Sequence, residues 1–217
     1  MTGAGSGSTL NDISVRAQTA AERGELAALL GGFPAASFDE PSLCAGWRVR
    51  EVVAHITMPF RYSTPRFVLE IVRSRGNFNR MADRCARRDA TVPVEQLVAA
   101  LRDNADHRWQ PPGGGPEGAL VHDVIHGLDI TVALGADRHV PLDRLRIVMD
   151  VITTPQPLKH FGADLHGVEL RADDLDWSFG SGALVTGSAQ DLALVLCGRR
   201  LPAGYLHGEP AARFTNS

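Results

Sequence analysis

Two histidines, His122 and His126, stand four residues apart in the apolar run Leu-Val-His-Asp-Val-Ile-His-Gly-Leu-Asp of residues 120–129. On an α-helix, positions i and i+4 share a face with Cβ atoms about 6 Å apart, so both imidazoles can point at one metal ion. Asp129 continues that face, where it can orient an imidazole N–H or join the ligand set. Two histidines do not close a site. The best third donor is His55, in the run Trp-Arg-Val-Arg-Glu-Val-Val-Ala-His-Ile of residues 47–56. A single histidine on an apolar helix is ordinarily a hydrogen-bonded core residue. A second on the same face and a third on another apolar helix need a reason, and bundles build metal sites from side chains projecting inward from facing helices. Three imidazoles suit a divalent metal such as zinc, nickel, copper or iron, with zinc first.

The elements that must position these residues read as helices. Ile13, Val15, Ala20, Leu26, Leu29 and Leu30 recur at near-helical spacing before the stop at Gly31-Gly32. The prolines and glycine of residues 33–46 read as a connector, after which Trp47 opens a helix with Val49, Val52, Val53 and Ile56 as its buried stripe. Pro59 and Pro65 interrupt or kink the chain beyond that stripe. The arginine-rich stretch 73–88 reads as a solvated face or as a mouth that attracts carboxylate substrates. Pro93 opens a helix carried by Val94, Leu97, Val98 and Leu101 to about Trp109, and the histidine helix runs from near Glu117 to about Leu134. Beyond it, a helix over 141–152 is broken by Thr-Pro-Gln-Pro. Residues 167–172, 176–179 and 182–186 then suggest a small antiparallel sheet, and Ser188 caps a helix over 189–197. The fold class is therefore α+β: a flexible tail (1–10), a four-helix metal-binding bundle (11–137) and a small mixed α/β domain (138–217).

The composition narrows the function classes. The chain has 217 residues, 44% hydrophobic and 22% charged, with a formal net charge of -3, which offers no basic footprint for nucleic acid. Arginine supplies almost all positive charge, with Lys159 the lone lysine, a bias of GC-rich bacterial genomes. Cys44, Cys85 and Cys197 are scattered and odd in number, which argues against a disulfide scaffold and for a reducing cytoplasm. The glycine- and serine-rich start lacks the pattern of a signal peptide, and no apolar run is long enough to span a membrane.

The segments Cys44-Ala-Gly-Trp-Arg-Val-Arg-Glu-Val-Val-Ala-His55 and His122-Asp-Val-Ile-His-Gly-Leu-Asp-Ile130 together resemble the mycothiol-dependent maleylpyruvate isomerase family, whose bundle belongs to the DinB-like metalloproteins. Residues 185–200 resemble that family's C-terminal domain, which is similar in fold to sterol carrier proteins. The resemblance implies His55 and His126 as the first and last ligands. His122 stands where the isomerase commonly has glutamate, and related DinB-like proteins use three histidines. It also implies roles for Asp129, which comes just after the histidine motif, and for Arg199, which could hold a substrate carboxylate or an enolate. The implied cofactors are the metal and mycothiol, and the implied partner is an enoyl diacid or another small-molecule electrophile. With three protein ligands one coordination position stays open, where a thiol would lose its proton. The resulting thiolate would isomerise a cis double bond by addition and expulsion, or be transferred.

Other readings stay open. A non-enzymatic protein would close the metal with a fourth group such as Asp129 or Glu51, or would hold an apolar ligand in its C-terminal domain. A zinc-dependent regulator usually draws on cysteine-rich ligand sets, which this chain lacks. Cys44 reads either as a packing residue or as an activated thiol, and Trp47 as a core residue or a substrate stacker. Arg199 and Arg200 also suit the end of a helix, where the dipole favours cations.

Overall fold

The structure is a computed structural model that describes residues 4–216, with side chains described from Asn11 onward. It is mostly helical with a small sheet near the C-terminus, an α+β fold whose first part is a helical bundle. Two compact units divide the chain, residues 1–126 and 127–217. No helix among the described residues is long and apolar enough to cross a membrane.

In the first unit, helix α1 spans Ala4–Gly31 and so begins before the expected Asn11. Of the expected tail over 1–10, residues 1–3 lie outside the described residues, as do the side chains of 4–10. Helix α2 (Val49–Arg61) buries the stripe read from the sequence, Val49, Val52, Val53 and Ile56 all being fully covered. Its N-terminus is closed by Glu51, whose carboxylate accepts the Arg48 backbone N–H at 2.8 Å. Pro59 falls in the last turn of α2, where the helix is about to end, and does not break it earlier.

Helices α3 (Thr64–Arg73) and α4 (Phe78–Asp89) add a hairpin to the four helices expected, α4 packing on α2. Of the arginines of 73–88, Arg73, Arg75, Arg80 and Arg87 are exposed as a solvated face requires, while Arg84 and Arg88 also serve buried carboxylates. Arg84 and Arg88 grip the buried Glu70 at 2.6 and 2.8 Å, and Arg88 and Arg61 both reach Asp89 at 3.0 Å. A carboxylate buried between helices needs such partners to stay charged, and Arg84 and Arg88 supply them while remaining partly exposed.

Helix α5 (Val94–Asp103) packs on α1 and α2 and stops well short of Trp109. Beyond its end, Arg23 of α1 takes the carbonyls of Ala105 and His107 and ties down the loop that follows. Helix α6 (Gly115–Thr131) starts beside the prolines, with Gly114 so close to Pro111 that a Cβ there would lie 2.8 Å from its ring. Leu120, Val124 and Ile125 make its buried side.

In the second unit, α7 (Leu142–Ile152) is followed by α8 (Pro155–Phe161). Thr-Pro-Gln-Pro therefore starts a short helix, since proline suits a first turn whose N–H groups have no intrahelical partner. Strands β1 (Val168–Ala172), β2 (Ser178–Gly180) and β3 (Ala183–Gly187) form a sheet in the order β2-β1-β3. Its pairing is mixed rather than antiparallel throughout: β2 is antiparallel to β1, and β3 is parallel to it. Two glycines make this possible by letting the chain cross the start of β1. A Cβ on Gly180 would lie 2.4 Å from the Val168 carbonyl oxygen and one on Gly182 2.2 Å from that of Gly167. Helix α9 (Ala189–Leu196) packs on α7 and the sheet, its N-terminus capped by Ser188 as expected.

Candidate metal centre

His55 comes from α2, and His122 and His126 come from successive turns of α6. The three rings converge, with centroids 4.8 to 5.0 Å apart and one ligand atom of each within 4.8 Å of the others. His122 Nε2 and His55 Nε2 stand 3.1 Å apart. Two nitrogens bound to one zinc at near-tetrahedral angles lie about 3.3 Å apart, so this spacing suits one ion between them.

The protonation pattern is set by Asp123, which is 1% exposed. Burial alone would raise its pKa, but the contact with His122 and the charge of Arg23 hold it below the ordinary carboxylate range. An ionised carboxylate only accepts, so His122 Nδ1, 2.8 Å from Asp123 Oδ1, carries the proton. In the neutral ring Nε2 is then the nitrogen with the free lone pair, the atom through which such an imidazole binds a metal. The donor set therefore fits a divalent transition ion held by neutral imidazoles.

Aromatic rings flank the cluster. Trp47 meets His55 at 5.2 Å and fixes its own indole by donating to Asp83 at 2.8 Å, while Trp109 meets His122 edge-on at 5.1 Å. Cys44 stands beside the cluster, its sulfur 3.7 Å from His126 Nδ1. A tight turn holds it there, with Ser42 Oγ accepting the Cys44 backbone N–H at 3.1 Å and Gly46 at a φ of 77°. Cys44 and Trp47 both line the cluster.

Glu51, a candidate fourth ligand, is engaged elsewhere: Arg48 holds both its oxygens, one by backbone and one by guanidinium at 2.6 Å. Asp129 and Arg199 are brought together in the second unit as a two-toothed ion pair. Sequence reasoning missed Asp123, Arg23 and Trp109. A signal existed for Asp123, an acidic residue directly after His122 inside an otherwise apolar run. Nothing in the sequence linked Arg23 to it across the intervening chain.

The bundle and its histidine cluster define a class, and comparison with known proteins gives it a family. The model of the mycothiol maleylpyruvate isomerase N-terminal domain matches residues 19–131, more than half of the chain, and the chain belongs to that family. Two crystal structures of the mycothiol-dependent maleylpyruvate isomerase share the fold. One, of a histidine-to-alanine mutant, is 15% identical with a TM-score of 0.60, covering 93% of this chain and 92% of that one. The other is 16% identical with a TM-score of 0.50 and the same coverage. No curated protein matches in sequence.

Proposed function

We propose that His55, His122 and His126 bind one divalent metal, zinc first, and that the protein uses it with a low-molecular-weight thiol, mycothiol, as an isomerase or S-transferase of the maleylpyruvate isomerase type. The observation that carries the reading is the 3.1 Å approach of His122 Nε2 to His55 Nε2, with the His122 proton drawn to the far nitrogen by Asp123. When bound, such an ion lowers the pKa of a coordinated thiol, so that thiolate is present near neutral pH.

The chain's own residues supply the rest. His55, His122 and His126 offer three neutral donors, which leaves a coordination position for an exchangeable ligand. A structural site would draw a fourth group from the protein, and the carboxylates of Glu51 and Asp129 are taken by Arg48 and Arg199. Trp47 and Trp109 place apolar rings against His55 and His122, which lowers the local dielectric and strengthens polar contacts there. In this reading Arg199 supplies the cation for a carboxylate or enolate of a small electrophile or enoyl diacid, and Asp129 fixes its orientation.

Elemental analysis of untagged protein tests the reading. One equivalent of zinc or another transition metal in wild type, lost in His126→Ala, is expected, followed by mycothiol-dependent turnover of a cis-enoyl diacid or an electrophile. Wild type that takes up no stoichiometric metal even after reconstitution would sink the proposal.

A further inference from the structure

Arg23 lies behind the imidazole cluster and touches two different things. Its Nε donates to Asp123 Oδ2 at 2.6 Å, with both side chains only 1% exposed. Its Nη1 donates to the carbonyls of Ala105 and His107 at 3.1 and 2.6 Å, and Phe60 lies against the guanidinium at 4.9 Å. The other oxygen of Asp123 accepts from His122 Nδ1. The loop that Arg23 grips ends at Trp109, whose backbone N–H donates to His107 Nδ1 at 3.1 Å and whose ring meets that of His122.

We propose that Arg23 and Asp123 form a positioning relay for the metal centre: Asp123 fixes the proton and plane of His122, and Arg23 ties that carboxylate to the loop that sets Trp109 against the same ring. The metal half of this inference rests on the function proposed above. The tautomer half does not.

A buried Arg–Asp pair is seldom more stabilising than an apolar pair of the same volume, because desolvating both charges offsets their attraction. What this pair supplies instead is direction. Asp123 has its two oxygens turned to different partners, so the carboxylate plane is set by Arg23 and the His122 ring is set by the carboxylate. A planar guanidinium serves the carboxylate and the two loop carbonyls from N–H groups in a fixed fork, a directional match that a lysine ammonium, a flexible point charge, does not provide. One residue of α1 thereby sets both the ligand behind the metal position and the aromatic wall beside it.

The test uses metal-free protein labelled with 15N-histidine, in which long-range 15N–1H correlations read the protonated nitrogen of His122. Wild type is expected to show the proton on Nδ1. Asp123→Leu removes the acceptor and is expected to release the tautomer. That variant strands Arg23, so the paired variant Arg23→Met/Asp123→Leu, checked for folding by circular dichroism, is measured beside it. In the paired variant His122 should populate both tautomers, and zinc affinity read by chelator competition should fall roughly 10- to 100-fold. Arg23→Lys should keep most of the tautomer preference but shift Trp109 emission as the loop loosens. A folded paired variant with His122 still protonated on Nδ1 and with unchanged zinc affinity would overturn the relay. Wild type that binds no zinc would defeat the proposed function, yet the tautomer result would still decide this inference.

Discussion

Arg199 and Asp129 hold each other through two parallel N–H···O bonds, Nε to Oδ1 and Nη2 to Oδ2, each 2.8 Å long. Asp129 is fully buried and Arg199 mostly so, and Nη1 of the same guanidinium donates to the Cys197 carbonyl at 2.8 Å. This fork locks the end of α9 to the aspartate just beyond the histidine motif. Removing one partner leaves a buried charge alone. Arg199→Ala is expected to destabilise the protein by about 3–5 kcal/mol, whereas replacing both residues with apolar ones of similar volume should recover most of that loss. Urea unfolding of the single and double variants checks the difference. Equal losses in both would mean that packing, not charge, is what the pair supplies.

Cys44 lies 3.7 Å from His126 Nδ1, yet three imidazoles already converge without it. Cys44→Ala is therefore expected to retain one equivalent of metal, while His55→Ala and His126→Ala are expected to lose it. Elemental analysis of the dialysed variants reads this directly. Loss of metal in Cys44→Ala would make the sulfur a ligand and the site a closed one. Alkylation of the native protein should also be confined to Cys44. Cys85 and Cys197 are buried, and burial pushes the Cys197 thiol up to about 12.

The bundle and the convergence of its histidines were legible because both rest on periodicity. The stripe Val49, Val52, Val53 and Ile56 and the spacing of His122 and His126 are repeats of the helix itself. What escaped depends on contacts between distant segments. Beyond the end of α5 the chain is held by Arg23 of α1, which takes the Ala105 and His107 carbonyls, and no local pattern records that contact. The basic run 73–88 is largely solvated as read, but Arg84 and Arg88 do not stand out in it because Glu70, the buried carboxylate they pair with, sits on a different helix. The parallel pairing of β3 is hidden for another reason. Strand periodicity says which residues share a face, and says nothing about which edge of β1 the chain returns to. The signal is present in Gly180 and Gly182, which read only as turns.

Those glycines give a third prediction. Gly182 has a φ of 134°, a region that side-chain-bearing residues rarely adopt, and its Cβ would lie 2.2 Å from the Gly167 oxygen and 2.3 Å from its carbon. The obstacle is backbone, which cannot swing away. Gly182→Ala is expected to cost at least about 2 kcal/mol and to weaken the β1–β3 pairing selectively. Hydrogen exchange of the Ala183 amide, which donates to Gly167, reads the pairing. Gly24→Ala is the control, since nothing lies within 4 Å of the position and the change should be neutral or stabilising.

The network between α2, α3 and α4 gives the pH dependence. Burial alone would raise the pKa of Glu70, but Arg88 and Arg84 hold it below the ordinary carboxylate range. Burial likewise works against the charge on Asp89, yet the Tyr62 hydroxyl, donating at 2.7 Å, and the guanidinium groups of Arg88 and Arg61 lower its pKa too. In the unfolded chain these groups titrate near their ordinary values, about 3.9 for Asp and 4.3 for Glu. A folded pKa below the unfolded one means that the unfolded state binds more protons as pH falls, so stability drops with falling pH. The contribution is complete above the unfolded values and is lost as the pH falls through them toward the lowered folded ones. Unfolding free energy measured by urea is therefore expected to be flat in this respect near neutrality and to decline steeply below about pH 5. Glu70→Gln cannot titrate at this position. It should be less stable than wild type at neutral pH, because Arg84 and Arg88 lose their counter-charge, and its acid decline should be shallower, so that the two curves converge at low pH. Parallel curves would place the acid sensitivity elsewhere in the chain.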